Sequence, residues 1–350
     1  MSGPFPVPPF SPDGLIGVPL AGTSDPGRLV VIRLHAFGDT AITLPLIAAL
    51  RRRLPEARID VVTDVRSREL FAAHRDVDSV FSIDARRPKI PKGLSILRVA
   101  LALRRHRVPA VLDLQRNRWS RFLTRLLAPG AWVGFDRHAP RTALTRYLDA
   151  AEWIGLGRLD PVLASHVKPG PLAEARELLA GAGRDEARPL VCLNPAGGWK
   201  TKQWPLERYV ELGRRLEREG CQLMSLAATP VPPRFVALRE ALGESLLDLA
   251  GATTPAVALA VMSLASLVVS DDSGLMHLAW VQGVPTLALF GSSRSSWSRP
   301  EGPNAAGFYS EDLECGACLQ PVCGREDLLC LMRVSVDEVF RRSRELMRGS

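Results

Sequence analysis

Apolar runs bounded by turn residues recur along this chain, and stretches of helical periodicity lie between them. Residues 29–34 read as a buried strand, 44–54 as a helix, 59–62 as a strand and 110–114 as another. A second series opens with a strand at 190–194, a helix over 206–219 and a strand at 222–226. Its next unit is an apolar strand that stops at Asp271-Asp272, turns through Ser273-Gly274 into a helix, and reaches a further apolar strand that ends at Gly291. Strands alternating with helices predict parallel sheets, and two such series predict an α/β protein of two doubly wound, Rossmann-like domains. The Pro- and Gly-containing stretch 155–171 reads as the linker between them.

A length of 350 residues supports the same division, because it exceeds one α/β core of ordinary size. Residues 1–27, rich in Pro and Gly, read as a disordered tail, 28–160 as the first domain and 161–335 as the second, with a helix over 336–350. The longest apolar run, 246–262, is interrupted by Asp248 and Thr253, so no bilayer-spanning segment is expected. The tail has neither the basic start nor the apolar centre of a signal peptide, which predicts a cytoplasmic protein.

Charge adds an asymmetry. The net formal charge is +8, yet residues 28–150 alone hold 24 Lys+Arg against 11 Asp+Glu. A basic first half could attract a phosphorylated substrate or the anionic inner face of a membrane, although any single arginine is more plainly a solvated surface residue. No reading motif, aromatic platform or zinc-finger spacing accompanies the charge, so nucleic acid is not an expected partner.

The candidate chemistry sits at predicted strand ends. In the first half, His35-Ala36-Phe37-Gly38-Asp39-Thr40 follows the opening strand. Asp39 could be a helix cap, but a helix starting there would carry Pro45 past its first turn; with Thr43 as cap, Pro45 falls where proline is tolerated. Asp39 is then expected on a short exposed loop beside Gly38, as a general base for a hydroxyl, with His35 either touching acceptor or sugar or simply meeting solvent. In the second half, residues 194–205 join strand to helix. Gly197 and Gly198 supply room and backbone donors, and Lys200 or Lys202 a mobile positive charge, which suits a diphosphate leaving group. The terminal Gly-Lys-Ser/Thr of a P-loop is missing, and Trp204-Pro205 reads as an anchor in the core. Ser273 and Gly274 leave N–H groups at a helix start for phosphate, with Asp272 and His277 beside them.

Cys315, Cys318, Cys323 and Cys330 form a cluster whose spacing in a cytoplasmic protein reads as a structural zinc or iron site, the alternative being reduced cysteines in a turn. Cys192 and Cys221 read as core residues.

Residues 32–34 with Gly38-Asp39 and Thr43-Leu44-Pro45, then Asn194-Pro195 with Lys202-Gln203-Trp204-Pro205, then Asp272-Ser273-Gly274-Leu275-Met276-His277-Leu278 resemble, in order and spacing, glycosyltransferase family nine, the ADP-heptose:lipopolysaccharide heptosyltransferases. The resemblance implies a GT-B fold, with an N-terminal acceptor-binding domain, a C-terminal nucleotide-sugar domain across a cleft, and a final helix returning to the first domain. It implies inverting transfer without a catalytic metal. By position, Asp39 resembles the catalytic base and Lys202 the lysine that stabilises the diphosphate. Asn194, Gly197, Gly198, Asp272, Ser273, Gly274 and His277 fall on the donor side, and His35 and Gly38 on the acceptor side. Gly197 and Gly198 stand where members often carry hydroxyl residues, which shifts the phosphate grip toward the backbone. The function expected is transfer of heptose from ADP-heptose to a lipopolysaccharide-core saccharide, at the inner face of the cytoplasmic membrane. Two alternatives are glycosyl transfer to a protein and a catalytically silent nucleotide-sugar-binding scaffold.

Overall fold

Two six-stranded sheets organise the chain, one in each of two units, residues 1–162 and 163–350. The computed structural model describes residues 11, 14–21, 25–84, 86, 88–136, 139 and 141–349. In the first unit the strands are β1 (Leu15–Val18), β2 (Arg28–Ile32), β3 (Arg58–Asp64), β4 (Ser79–Ile83), β5 (Ala110–Asp113) and β6 (Ala131–Phe135). Their order is β1-β6-β5-β2-β3-β4, and every pairing is parallel except β1 with β6. In the second unit, β7 (Leu190–Asn194), β8 (Gln222–Ser225), β9 (Leu246–Asp248), β10 (Leu267–Asp271), β11 (Thr286–Leu289) and β12 (Ala305–Phe308) form an all-parallel sheet ordered β12-β11-β10-β7-β8-β9.

The parallel strands were legible because helices cover both faces of such a sheet, so its strands read as unbroken apolar runs. All five residues of β2, β7 and β10 are buried. In each sheet the order reverses beside the first parallel strand, between β2 and β5 and between β7 and β10. Crevices at the carboxyl ends of such strand pairs are where open α/β sheets bind ligands.

Three expectations need correction. Part of the presumed tail is ordered: Leu15 and Ile16 are buried in β1, which pairs antiparallel with β6, while residues 1–10, 12, 13 and 22–24 lie outside the described residues. Asp39 is not on a loop. It sits in the first turn of a short helix, Phe37–Ile42, and a second helix, Leu44–Arg53, follows with Pro45 in its first turn. Thr43 does precede that helix, but its hydroxyl donates to the Asp39 carbonyl (3.1 Å) instead of capping.

The last helix, Val336–Arg348, has its apolar face in the second unit's own core, where the expectation had it return to the first domain. Ser335 caps it reciprocally with Glu338, and Val336 and Val339 pack with Trp204, Leu212, Val269 and Leu287. Trp204 is fully buried and donates to the Val334 carbonyl (3.0 Å), which ties the donor-side loop to this helix. Among the described residues, no helix is long and apolar enough to cross a membrane.

Candidate functional site

At the carboxyl end of β2, the Gln115 side-chain carbonyl accepts from the Leu34 and His35 amides (3.0 and 2.9 Å), which fixes the turn that presents His35. Gln115 is itself held on a loop built around Asp113. That buried carboxylate accepts from the Arg116 and Gln115 amides (2.8 and 3.2 Å) and from the Ser120 hydroxyl (3.0 Å). Burial pushes its pKa up, and these hydrogen bonds oppose the shift. The exposed His35 ring lies 3.4 Å from the side-chain amide nitrogens of both Gln115 and Asn117. Partial desolvation and the Arg33 charge lower its pKa, favouring the neutral imidazole at pH 7.

Asp39 is about one-third exposed and ion-paired with Arg33, a residue that sequence reasoning left without a role. The Arg33 guanidinium also donates to the Leu114 carbonyl and lies 5.6 Å over the Tyr147 ring. A carboxylate gripped this way has its rotamer set from beneath while its exposed side stays open. Gly38 precedes it in the same helical turn. Beside His35 is a cavity of about 180 Å³, also lined by Asn117, Arg66, Arg86, Lys92 and Trp119. Its polar wall is cationic, which fits an anionic ligand better than a neutral one.

In the second unit the chemistry gathers at the carboxyl ends of β7, β10 and β11. Lys202 Nζ donates to Asp272 Oδ2 (2.7 Å), and the Ser293 hydroxyl donates to the same oxygen (2.6 Å). Burial pushes the Asp272 carboxyl up, but the Lys202 charge and hydrogen bond, together with Ser293, outweigh it and hold the group below its usual value. The Lys202 ammonium also lies 4.8 Å over the Trp199 ring. His277, buried on the following helix, Gly274–Trp280, contributes to the same lowering. Ser293 was missed, although its place just beyond the end of β11 was a signal of the same kind as Asp272 beyond β10.

Other expected donor residues take supporting places. Asn194 is fully buried, and its side chain donates to Ser270 Oγ (2.7 Å) and Ser273 Oγ (2.9 Å), so it braces the turn. Ser273 caps the helix that begins at Gly274. Gly197 does not offer its amide to a ligand, as had been expected, because that N–H donates to Asp271 Oδ2 (3.1 Å). The glycine is required for another reason: a Cβ there would lie 2.5 Å from the Lys202 carbonyl oxygen. Gly198 is exposed, with open space where a Cβ would be. Asp271, unassigned from sequence, organises the loop by also accepting from the Trp204 amide (3.1 Å) and the Tyr209 hydroxyl (3.0 Å).

The four clustered cysteines do not form the expected ligand set. All are free thiols, and among the described residues no three of them bring their sulfurs within 4.8 Å of one another. Their segment is pinned by hydrogen bonds to the loops that follow β7 and β11 instead. The Leu319 amide donates to the Ser292 carbonyl (2.8 Å), and the Thr201 hydroxyl donates to the Gln320 carbonyl.

Comparison with known proteins bears on this arrangement. The model of glycosyltransferase family 9 (heptosyltransferase) matches residues 164–328, a span that includes every donor-side residue described above. Lipopolysaccharide heptosyltransferase 1 of Pseudomonas aeruginosa is 27% identical over 89% of this chain and 96% of its own length. The second unit thus matches the family 9 glycosyltransferase model, and the chain is similar along most of its length to lipopolysaccharide heptosyltransferases. Lipopolysaccharide heptosyltransferase 2 of Salmonella typhimurium is 24% identical over 78% of this chain and 85% of its own. Among solved structures, a family 9 glycosyl transferase from Veillonella parvula superposes with a TM-score of 0.79 at 20% identity, covering 92% of this chain and 97% of that one. The E. coli heptosyltransferase WaaC with ADP gives 0.68 at 20% identity, over 91% and 99%. At these identities the superpositions establish the shared two-domain fold, and the likeness to family 9 rests on the sequence matches.

Proposed function

We propose that this chain is a family 9 glycosyltransferase that transfers heptose from ADP-heptose to a saccharide of the lipopolysaccharide core, by inverting displacement and without a catalytic metal. The observation that carries the reading is the Lys202–Asp272–Ser293 cluster at the strand ends of the matched domain, in a chain similar over 89% of its length to a lipopolysaccharide heptosyltransferase. Asp272 and Ser293 hold the ammonium in place before substrate arrives, so little reorganisation remains when charge builds on the leaving diphosphate. Asp39, steadied by Arg33, takes the proton of the acceptor hydroxyl as its oxygen attacks the anomeric carbon. The bond from that carbon to the diphosphate oxygen breaks on the opposite face, and its electron pair leaves with ADP. The cationic cavity beside His35 suits an acceptor that carries carboxylate or phosphate.

Calorimetric titration with ADP and ADP-heptose, set against UDP and GDP sugars, tests the donor. Adenine compounds should bind preferentially, and a uridine or guanosine preference would overturn ADP-heptose. Asp39→Asn should keep donor affinity while turnover falls by about 10²–10⁴-fold. An undiminished rate in that variant would remove Asp39 from the mechanism.

A further inference from the structure

The helix Lys89–Arg104 of the first unit is apolar on two sides. Ile96, Val99, Ala100 and Leu103 face the core, and Ile90, Leu94, Leu97 and Leu101 are 79, 54, 43 and 60% exposed. At about 100° per residue the exposed four fall within an arc of roughly 60°, a single stripe along the helix. Arg98 and Arg105 border it on one side and Arg104 on the other, all exposed. The helix Arg118–Leu127, which packs alongside, adds exposed Phe122, Arg121 and Arg125.

From residue 85 to residue 135 the chain holds twelve Lys+Arg and one acidic residue, Asp113, which is buried. A continuous apolar stripe in a field of one sign calls for an occupant that is both oily and negative. A second copy of this face would bring like charges together, whereas a bilayer carrying anionic headgroups answers both features.

We propose that this face is a peripheral membrane-binding surface for anionic phospholipid, with the leucine stripe entering the boundary between headgroups and acyl chains and the arginines reaching the phosphates. The same helix supplies Lys92, from the side opposite the stripe, to the cavity beside His35, so one element carries both the lipid-facing stripe and a wall of the pocket for an anionic saccharide. That link to a lipid-borne acceptor rests on the proposed transferase reading; the surface itself does not.

Flotation of the purified full chain with vesicles of phosphatidylethanolamine and phosphatidylglycerol, against vesicles of phosphatidylcholine, tests the proposal. The wild type should float with the anionic vesicles and detach as salt is raised. Leu94→Gln with Leu101→Gln, and separately Arg98→Gln with Arg104→Gln and Arg105→Gln, should each lower partitioning about tenfold or more. Both variants should keep the wild-type circular dichroism spectrum and thermal unfolding profile, which shows that the first unit folds. Wild-type protein that stays unbound, or variants that float equally well, would overturn the surface. A wild-type dimer without lipid that the leucine pair dissolves would give the face to a second copy and also overturn it. Floating needs neither donor nor turnover, so a chain that floats but binds no adenine nucleotide would sink the ADP-heptose reading and leave this surface standing.

Discussion

Asp271 and Asp272 are neighbours whose pKa values are shifted in opposite directions. Burial pushes Asp271 up to about 7 against the pull of Arg234 and its hydrogen bonds, while Lys202 and Ser293 hold Asp272 low. An unfolded aspartate titrates near 4, so the folded protein binds the Asp271 proton more tightly than the unfolded chain does. Its contribution to stability is complete below about pH 4, declines as pH rises, and is lost by about pH 7, above which the profile levels. Asp271→Asn should abolish that slope and cost about 1–3 kcal/mol, because an amide cannot accept all the hydrogen bonds the carboxyl takes. Urea unfolding of both proteins from about pH 4 to pH 8 checks this, and parallel profiles would contradict it. The sequence displayed the acidic pair at a strand end and put Asp272 beside the ligand, but it left Asp271 without a role. Alternation along a strand says only that the two point apart.

At the scale of elements, the donor-side loop depends on one close approach. Gly197 must let the Lys202 carbonyl pass at a distance no Cβ tolerates, and Gln203 closes the same turn by donating to the Gly197 carbonyl (2.7 Å). Gly197→Ala should displace Lys202 from Asp272, cost about 1–3 kcal/mol, and weaken ADP binding about tenfold. Calorimetry and thermal unfolding report the two effects, and unchanged values in both would show that the loop can give way. Glycines in this loop were visible in the sequence as room for a ligand; that the room at Gly197 is taken by the chain's own backbone is a tertiary fact. The same holds for β1, whose two buried residues are too few to stand out, and for the cysteine segment, where spacing alone resembled a metal site.

For the molecule as a whole, each unit has its own sheet and its own core, and the boundary at residues 162–163 lies within the predicted linker. Residues 163–350 expressed alone should therefore unfold cooperatively and bind ADP, and a chain that stays unfolded would show that its core is not self-sufficient. Two doubly wound units were legible because periodicity and length agree on them. The destination of the last helix was not legible, since an amphipathic pattern gives a buried face without naming what buries it.

The Lys202–Asp272 contact also bears on how a catalytic cycle ends. On the proposed reading the ammonium never has to return to bulk water when ADP departs, because a resident counter-ion reclaims it. A lysine lacking that companion would cling to the spent nucleotide, so the aspartate that steadies the charge for bond breaking also loosens the site for the next donor.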